Sequence, residues 1–144
     1  MKAVDTNILV YAHRSDSPWH EAADRCLSEL AETGRAWGIP WPCIHEFLSV
    51  VTHPKIYRPP SPLKDALLQV ECWIACPTLH LLGELPDYWT ELSGVLEKGQ
   101  VCGPRVHDAR IAAICRQHGA RALWSADRDL GRFTGLLVTN PLVS

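Results

Sequence analysis

Five residues into the chain, an apolar run meets an acid. Met1-Lys2-Ala3-Val4 leads straight to Asp5-Thr6-Asn7, and Ile8-Leu9-Val10-Tyr11-Ala12 follows with helical character. This reads as a buried strand with a carboxylate at its carboxyl tip, then a helix with its own polar cap. In open α/β sheets, ligands bind outside the carboxyl ends of the strands. Asp5 is therefore either a helix cap or a residue placed where a ligand sits. Which of the two depends on whether other acids fall at matching places.

The length of 144 residues suits one domain, 1–144, with one sizeable core. A net charge of -2 gives no global attraction for nucleic acid, so such a partner must be gripped by a local patch. Asp5 interrupts the first apolar run before a signal peptide could form, and no apolar stretch is long enough to span a bilayer. A soluble, cytoplasmic protein is expected. The six cysteines are scattered without a C-x-x-C pair, which predicts buried reduced thiols rather than a zinc site.

Strands and helices alternate along the rest of the chain. Ser17-Pro18 predicts a helix start, with Ala22, Ala23, Cys26, Leu27 and Leu30 at helical spacing and Gly34 as the stop. Ala36 to Ile39 is a short strand. The helix from Trp41 to Val51 carries Ile44, Phe47, Leu48 and Val51 as its core stripe, with Glu46 off that stripe one turn in. Glu46 is a solvated charge or, like Asp5, an acid beside a strand tip.

Residues His53 to Pro62 hold four prolines, which forbid regular structure. With Lys55, Tyr57, Arg58 and the following Lys64, this loop combines charge and stacking surface. It reads either as a nucleic-acid contact or as a stiff loop with snorkelling basic residues. Leu63 to Cys76 and Pro86 to Lys98 are helices flanking a strand over Thr78–Leu82, the second helix with Trp89, Leu92 and Leu96 expected to face inward. These faces are too rich in Trp and Leu for one small sheet to cover, so one of them is expected to pack on a second copy or a partner.

After a loop over Val101–Val106, Asp108 opens a helix of small and apolar residues, as a cap or as a site residue. Arg121 to Trp124 is a strand, and Ser125-Ala126-Asp127-Arg128-Asp129 follows its tip, as an Asp-rich turn or as a second acidic strand end. Leu136-Leu137-Val138 is a last strand. The alternation predicts an α/β fold, a mostly parallel central sheet flanked by helices.

In such a sheet Asp5, Glu46, Asp108 and Asp127 converge on one edge. Two unit charges ~4 Å apart repel by about 1 kcal/mol in water and ~4 kcal/mol at an effective dielectric of ~20, so four acids together call for cations. An all-oxygen set selects Mg²⁺ or Mn²⁺ over zinc. Carboxylate-held ions of that kind drive phosphodiester hydrolysis.

In their order, Asp5-Thr6-Asn7, Glu46, His107-Asp108-Ala109-Arg110-Ile111-Ala112-Ala113 and Ser125-Ala126-Asp127-Arg128-Asp129 resemble the successive motifs of the PIN-domain ribonucleases. More narrowly, the chain is similar to the VapC-type toxins of bacterial toxin–antitoxin pairs. Trp41-Pro42, Val51-Thr52-His53-Pro54 and Asn140-Pro141-Leu142 extend the likeness over essentially the whole chain. Ser125 stands where Thr is usual and Leu130 where Phe is usual.

The resemblance implies a Mg²⁺-dependent endoribonuclease acting on tRNA or rRNA, a homodimer, and inhibition by a cognate antitoxin. It implies Asp5 and Asp108 as principal metal ligands, with Glu46 and Asp127 completing the acidic pocket. Thr6, Asn7, Ser125 and Asp129 support them, and Lys55, Arg58, Arg105, Arg110 and Arg128 are candidates for the RNA backbone. Two other readings stand beside it. One is a PIN fold that only binds RNA or protein. The other is a receiver-type phospho-accepting domain, which wants a Lys after the late acidic tip where this chain has Arg128.

Overall fold

The computed structural model describes residues 1–127, 130 and 133–143. In chain order the elements are β1 (Lys2–Val4), α1 (Thr6–His13), α2 (His20–Glu32), β2 (Trp37–Pro40), α3 (Trp41–Val51), α4 (Leu63–Ile74), β3 (Leu79–Leu82), α5 (Tyr88–Gly99), α6 (Arg105–Gln117), β4 (Ala122–Trp124) and β5 (Leu137–Thr139). The strands form one sheet in the order β3-β2-β1-β4-β5, and every pairing is parallel. The expected α/β architecture is therefore present.

Short apolar runs without alternation form these strands because helices cover both faces of a parallel sheet. Ala3 and Val4 of β1 are wholly buried, as are all four residues of β2. Ile8, Leu9, Phe47, Ile114 and Leu123 close the core around them. Gly38 is required here: a Cβ at that position would lie 2.7 Å from Leu82 Cδ1 on the neighbouring strand. Leu82 is itself buried, so it has little room to yield.

The order of the strands places the site. The chain steps outward from β1 to β2 to β3, then returns to lay β4 and β5 on the other side of β1. The direction of winding reverses between β1 and β4, and a crevice opens outside their carboxyl ends. The ladder continues past both tips, with Asp5 N donating to Trp124 O at 2.9 Å and Ser125 N to Thr139 O at 3.0 Å.

Several expectations shift. α2 starts at His20 and not at Ser17-Pro18, because Ser17 closes a turn instead: its carbonyl accepts from His20 N and its hydroxyl from Trp19 N. α6 begins at Arg105, so Asp108 lies within its first turn rather than opening it. Trp89 does not face inward. It is 71% exposed, and no residue of α5 is fully buried. Cys26, Cys43 and Cys115 are buried thiols as expected, but Cys72 and Cys102 are exposed. No helix among the described residues is long and apolar enough to cross a membrane.

Candidate active site

Asp5 is both of the things its sequence position allowed. It caps α1, its Oδ1 accepting from Thr6 N at 2.8 Å, and it lines the crevice between the β1 and β4 tips. Only 5% of it is exposed. Ser125 Oγ donates to its Oδ2 at 2.7 Å, and the buried Cys43 thiol, on α3, lies 3.5 Å from Oδ1. Cys43 was not among the residues singled out in the sequence. Its position on the core side of α3 carries no sign of a polar neighbour.

The tips of β1 and β4 are stitched through Asn7 and Ser125. Asn7 Nδ2 donates to Ser125 Oγ at 3.2 Å, and Ala126 N donates to Asn7 Oδ1 at 3.0 Å. Asp127 N donates to Ser125 Oγ at 2.9 Å. The serine hydroxyl thus fixes the backbone at Asp127 while holding the carboxyl of Asp5. Thr6 supports a third element: its Oγ1 donates to Glu46 Oε2 of α3 at 3.3 Å.

One cleft of about 270 Å³ is lined by Asp5, Glu46, Asp108 and Asp127. The four acids come from the end of β1, the second turn of α3, the first turn of α6 and the segment after β4. Their charges are felt locally. Burial pushes the Asp5 carboxyl up, against hydrogen bonds from Ser125, Thr6 and Cys43, and the charge of Asp127 adds to the rise. Burial also raises Glu46, with further increments from Asp5 and Asp108 that Thr6 and His107 partly offset. Repulsion therefore links all four in a chain, Asp127 to Asp5 to Glu46 to Asp108.

A hard divalent cation fits this set in charge and in donor chemistry, since every carboxylate offers oxygen and acidic neighbours add to the rise of Asp5 and Glu46. Among the described residues, however, no three His, Cys, Asp or Glu side chains stand close enough to grip an ion. The acids line one space without three of them meeting at a point.

The remaining candidates divide. Arg110 lines a second groove with His45, Glu46, His107 and Asp108, beside the first. Lys55 and Arg58 are exposed on the proline loop, which reaches the acid cleft through Tyr57. Arg105 is not a simple surface cation: its guanidinium lies over the Phe133 ring, 5.5 Å from the centroid, and its buried Nε has no hydrogen-bond partner among the described residues. Arg128 and Asp129 lie outside the described residues. The cleft also holds Tyr11, Val50 and Ile111, which no acidic motif could have flagged.

Comparison with known proteins agrees with the geometry. The family model described as PIN domain matches residues 2–136. Ribonuclease VapC48 of Mycobacterium tuberculosis is 31% identical over 138 residues, covering 95% of this chain and 94% of the relative. Ribonuclease VapC43 of the same species is 32% identical over 142 residues, covering 99% and 96%. Among solved structures, VapBC2 from Rickettsia felis, bound to a DNA fragment from its promoter, superposes with a TM-score of 0.69 at 18% identity, over 96% of each chain. With its acids gathered at the switch point of a parallel sheet and its sequence matched nearly from end to end, this chain belongs to the PIN-domain family, among the VapC ribonucleases.

Proposed function

We propose that the protein is a Mg²⁺- or Mn²⁺-dependent endoribonuclease, the toxin of a type II toxin–antitoxin pair, acting on tRNA or rRNA in the cytoplasm. The observation that carries this is the single cleft lined by four acids from four separate elements. Asp5 and Asp108 would hold the cation, with Asp127 beside them. A bound ion of this kind supplies an activated water and neutralises charge on the phosphate.

The chain's own residues do the rest. Ser125 and the Thr6 amide fix the Asp5 carboxyl in one orientation. Asn7 locks the segment that carries Asp127. Glu46, raised from its ordinary value and still in contact with solvent, suits uptake of the proton from the attacking water. The reaction adds one water across a P–O3′ bond and leaves a 5′-phosphate and a 3′-hydroxyl.

A binding module with no ion to hold would gain nothing from burying Asp5 next to Asp127, and this favours catalysis. The uncovered apolar residues of α4 and α5 suit a homodimer and an antitoxin as the partners that cover them. RNA cleavage with Mg²⁺, followed by mapping of the new 5′ ends, tests the reading. Asp5→Asn and Asp108→Asn should both be silent, and an Asp5→Asn protein that cuts as fast as the parent would overturn it.

A further inference from the structure

The acid cleft changes character along its length. Three of its helices each place a polar residue near the sheet edge and an apolar or aromatic one a turn further on. Asn7 is followed by Tyr11 on α1, Glu46 by Val50 on α3, and Asp108 by Ile111 on α6, and all six line the cleft. Residues three and four apart share a helix face, and one turn advances about 5.4 Å. The acidic end therefore grades outward into an aromatic and apolar one.

Tyr57, from the proline loop, also lines this cleft. Its ring is held, not loose. The Arg14 guanidinium lies over it, 4.3 Å from the centroid. Arg14 is itself clamped by Asp16, at 2.9 Å from Nε and 2.6 Å from Nη2, and donates to Ser61 Oγ at 3.2 Å. Ser61 anchors the far end of the loop. Its amide donates to Val51 O at 2.7 Å, and its hydroxyl meets His13 Nε2 at 2.9 Å. The other His13 nitrogen meets Gln69 Oε1 of α4 at 3.1 Å, and the imidazole sits edge-on to Phe47. Such an anchored aromatic keeps little rotational freedom to lose when a flat ligand stacks on it.

We infer that Tyr57 is a specificity-determining platform on which an unpaired base beside the scissile phosphate stacks. This deepens the nuclease reading and rests on it: the acids take the phosphate, and the tyrosine takes the neighbouring base. Arg14 stacks on the ring, and Tyr57 still lines the cleft, where a ligand can meet it. Base–aromatic stacking tolerates any sequence, because every base has a π-face, so Tyr57 selects for unpaired RNA more than for a particular letter.

The test uses the full chain silenced by Asp108→Asn. Its probes are two fluorescein-labelled oligomers read by anisotropy in Mg²⁺: a twelve-residue oligoadenylate and an abasic ribose-phosphate oligomer of the same length. The silenced protein should bind the base-bearing oligomer about tenfold more tightly, within the range set by one stacked base. Tyr57→Phe should keep that preference. Tyr57→Leu, which retains bulk, should lose about tenfold on oligoadenylate and nothing on the abasic oligomer. Equal losses on both oligomers, or none on either, would overturn the platform. So would a silenced parent that binds the two oligomers alike, whether or not the leucine variant folds. The nuclease reading fails differently: the Asp108-bearing protein would cut no RNA while the preference for bases stayed intact.

Discussion

The central strand tips and the outer helices are built on different terms. At the β1 and β4 tips, Asp5, Asn7, Ser125 and Ala126 exchange hydrogen bonds above the buried Ala3, Val4 and Leu123. Away from those tips, α4, packed on α3 and β3, and α5, packed on α6, are only half committed. α5 buries no residue fully, and α4 leaves Leu63, Leu67, Leu68 and Ile74 in contact with solvent. Chemistry needs positions held to a fraction of an ångström, and those sit where the chain is crossed from both directions. Recognition of another chain needs uncovered apolar area, and that lies at the periphery.

Substitutions at the inner tips should act on catalysis first. Asp5→Asn or Asp108→Asn is expected to cut Mg²⁺-dependent RNA cleavage by about 10³-fold or more, the several kcal/mol that a metal ion contributes, with the fold retained in circular dichroism. Below the tips, Leu123→Ala should cost about 2–5 kcal/mol in denaturant unfolding, because the wholly buried leucine leaves a cavity. A much smaller loss would mean that the core under the site is looser than its burial indicates.

Ser125→Ala removes one hydroxyl that serves Asp5, Asn7 and Asp127 together. An activity loss of about 10–100-fold, the range for groups that orient metal ligands, is expected in initial rates. Ser125→Thr should restore most of it.

The acids also couple stability to pH and to cations. Asp5 and Glu46 are both raised, chiefly by burial, so the folded chain holds their protons more firmly than the unfolded chain does. Their stabilising contribution is complete below the ordinary carboxyl range and is lost as pH rises through the raised values. Without divalent ions, the melting temperature should therefore fall by a few degrees across that window. Mg²⁺ at neutral pH should recover the loss in the parent and much less of it in Asp5→Asn. A melting temperature that does not respond to Mg²⁺ would break the link between repulsion and ion binding.

The smallest effect belongs to the periphery. Leu67→Ala should change monomer stability by no more than about 1 kcal/mol, since Leu67 is 45% exposed. If the outer face is an interface, sedimentation of a Trp89→Ser, Leu67→Ser double variant should shift toward monomer while its unfolding midpoint at low concentration stays put.

Much of the inner side was legible in the residues. A short apolar run ending in Asp5 gave strand, cap and carboxylate together, and the same pattern recurred at Trp124-Ser125-Ala126-Asp127. Glu46 was placed because a helix following a strand must begin beside that strand's tip, and Asp108 because it stands at a helix start, where an anion is favoured. The helix starting at Ser17 failed because a Ser-Pro pair closes a turn as readily as it opens a helix. Trp89 failed because a large aromatic is read as core by default, and whether anything lies opposite it is not a local property.

The linear chain therefore determined which residues are acids at strand ends, since apolar periodicity and turn chemistry act over a few neighbours. Folding in three dimensions decided the rest. It set the order β3-β2-β1-β4-β5, which makes Asp5 and Asp127 neighbours across more than a hundred residues. It also placed Cys43 against Asp5, and Tyr57 with Tyr11 in the same cleft. Those contacts come from long-range packing, in which each side chain is fixed by partners that its own stretch of sequence does not contain.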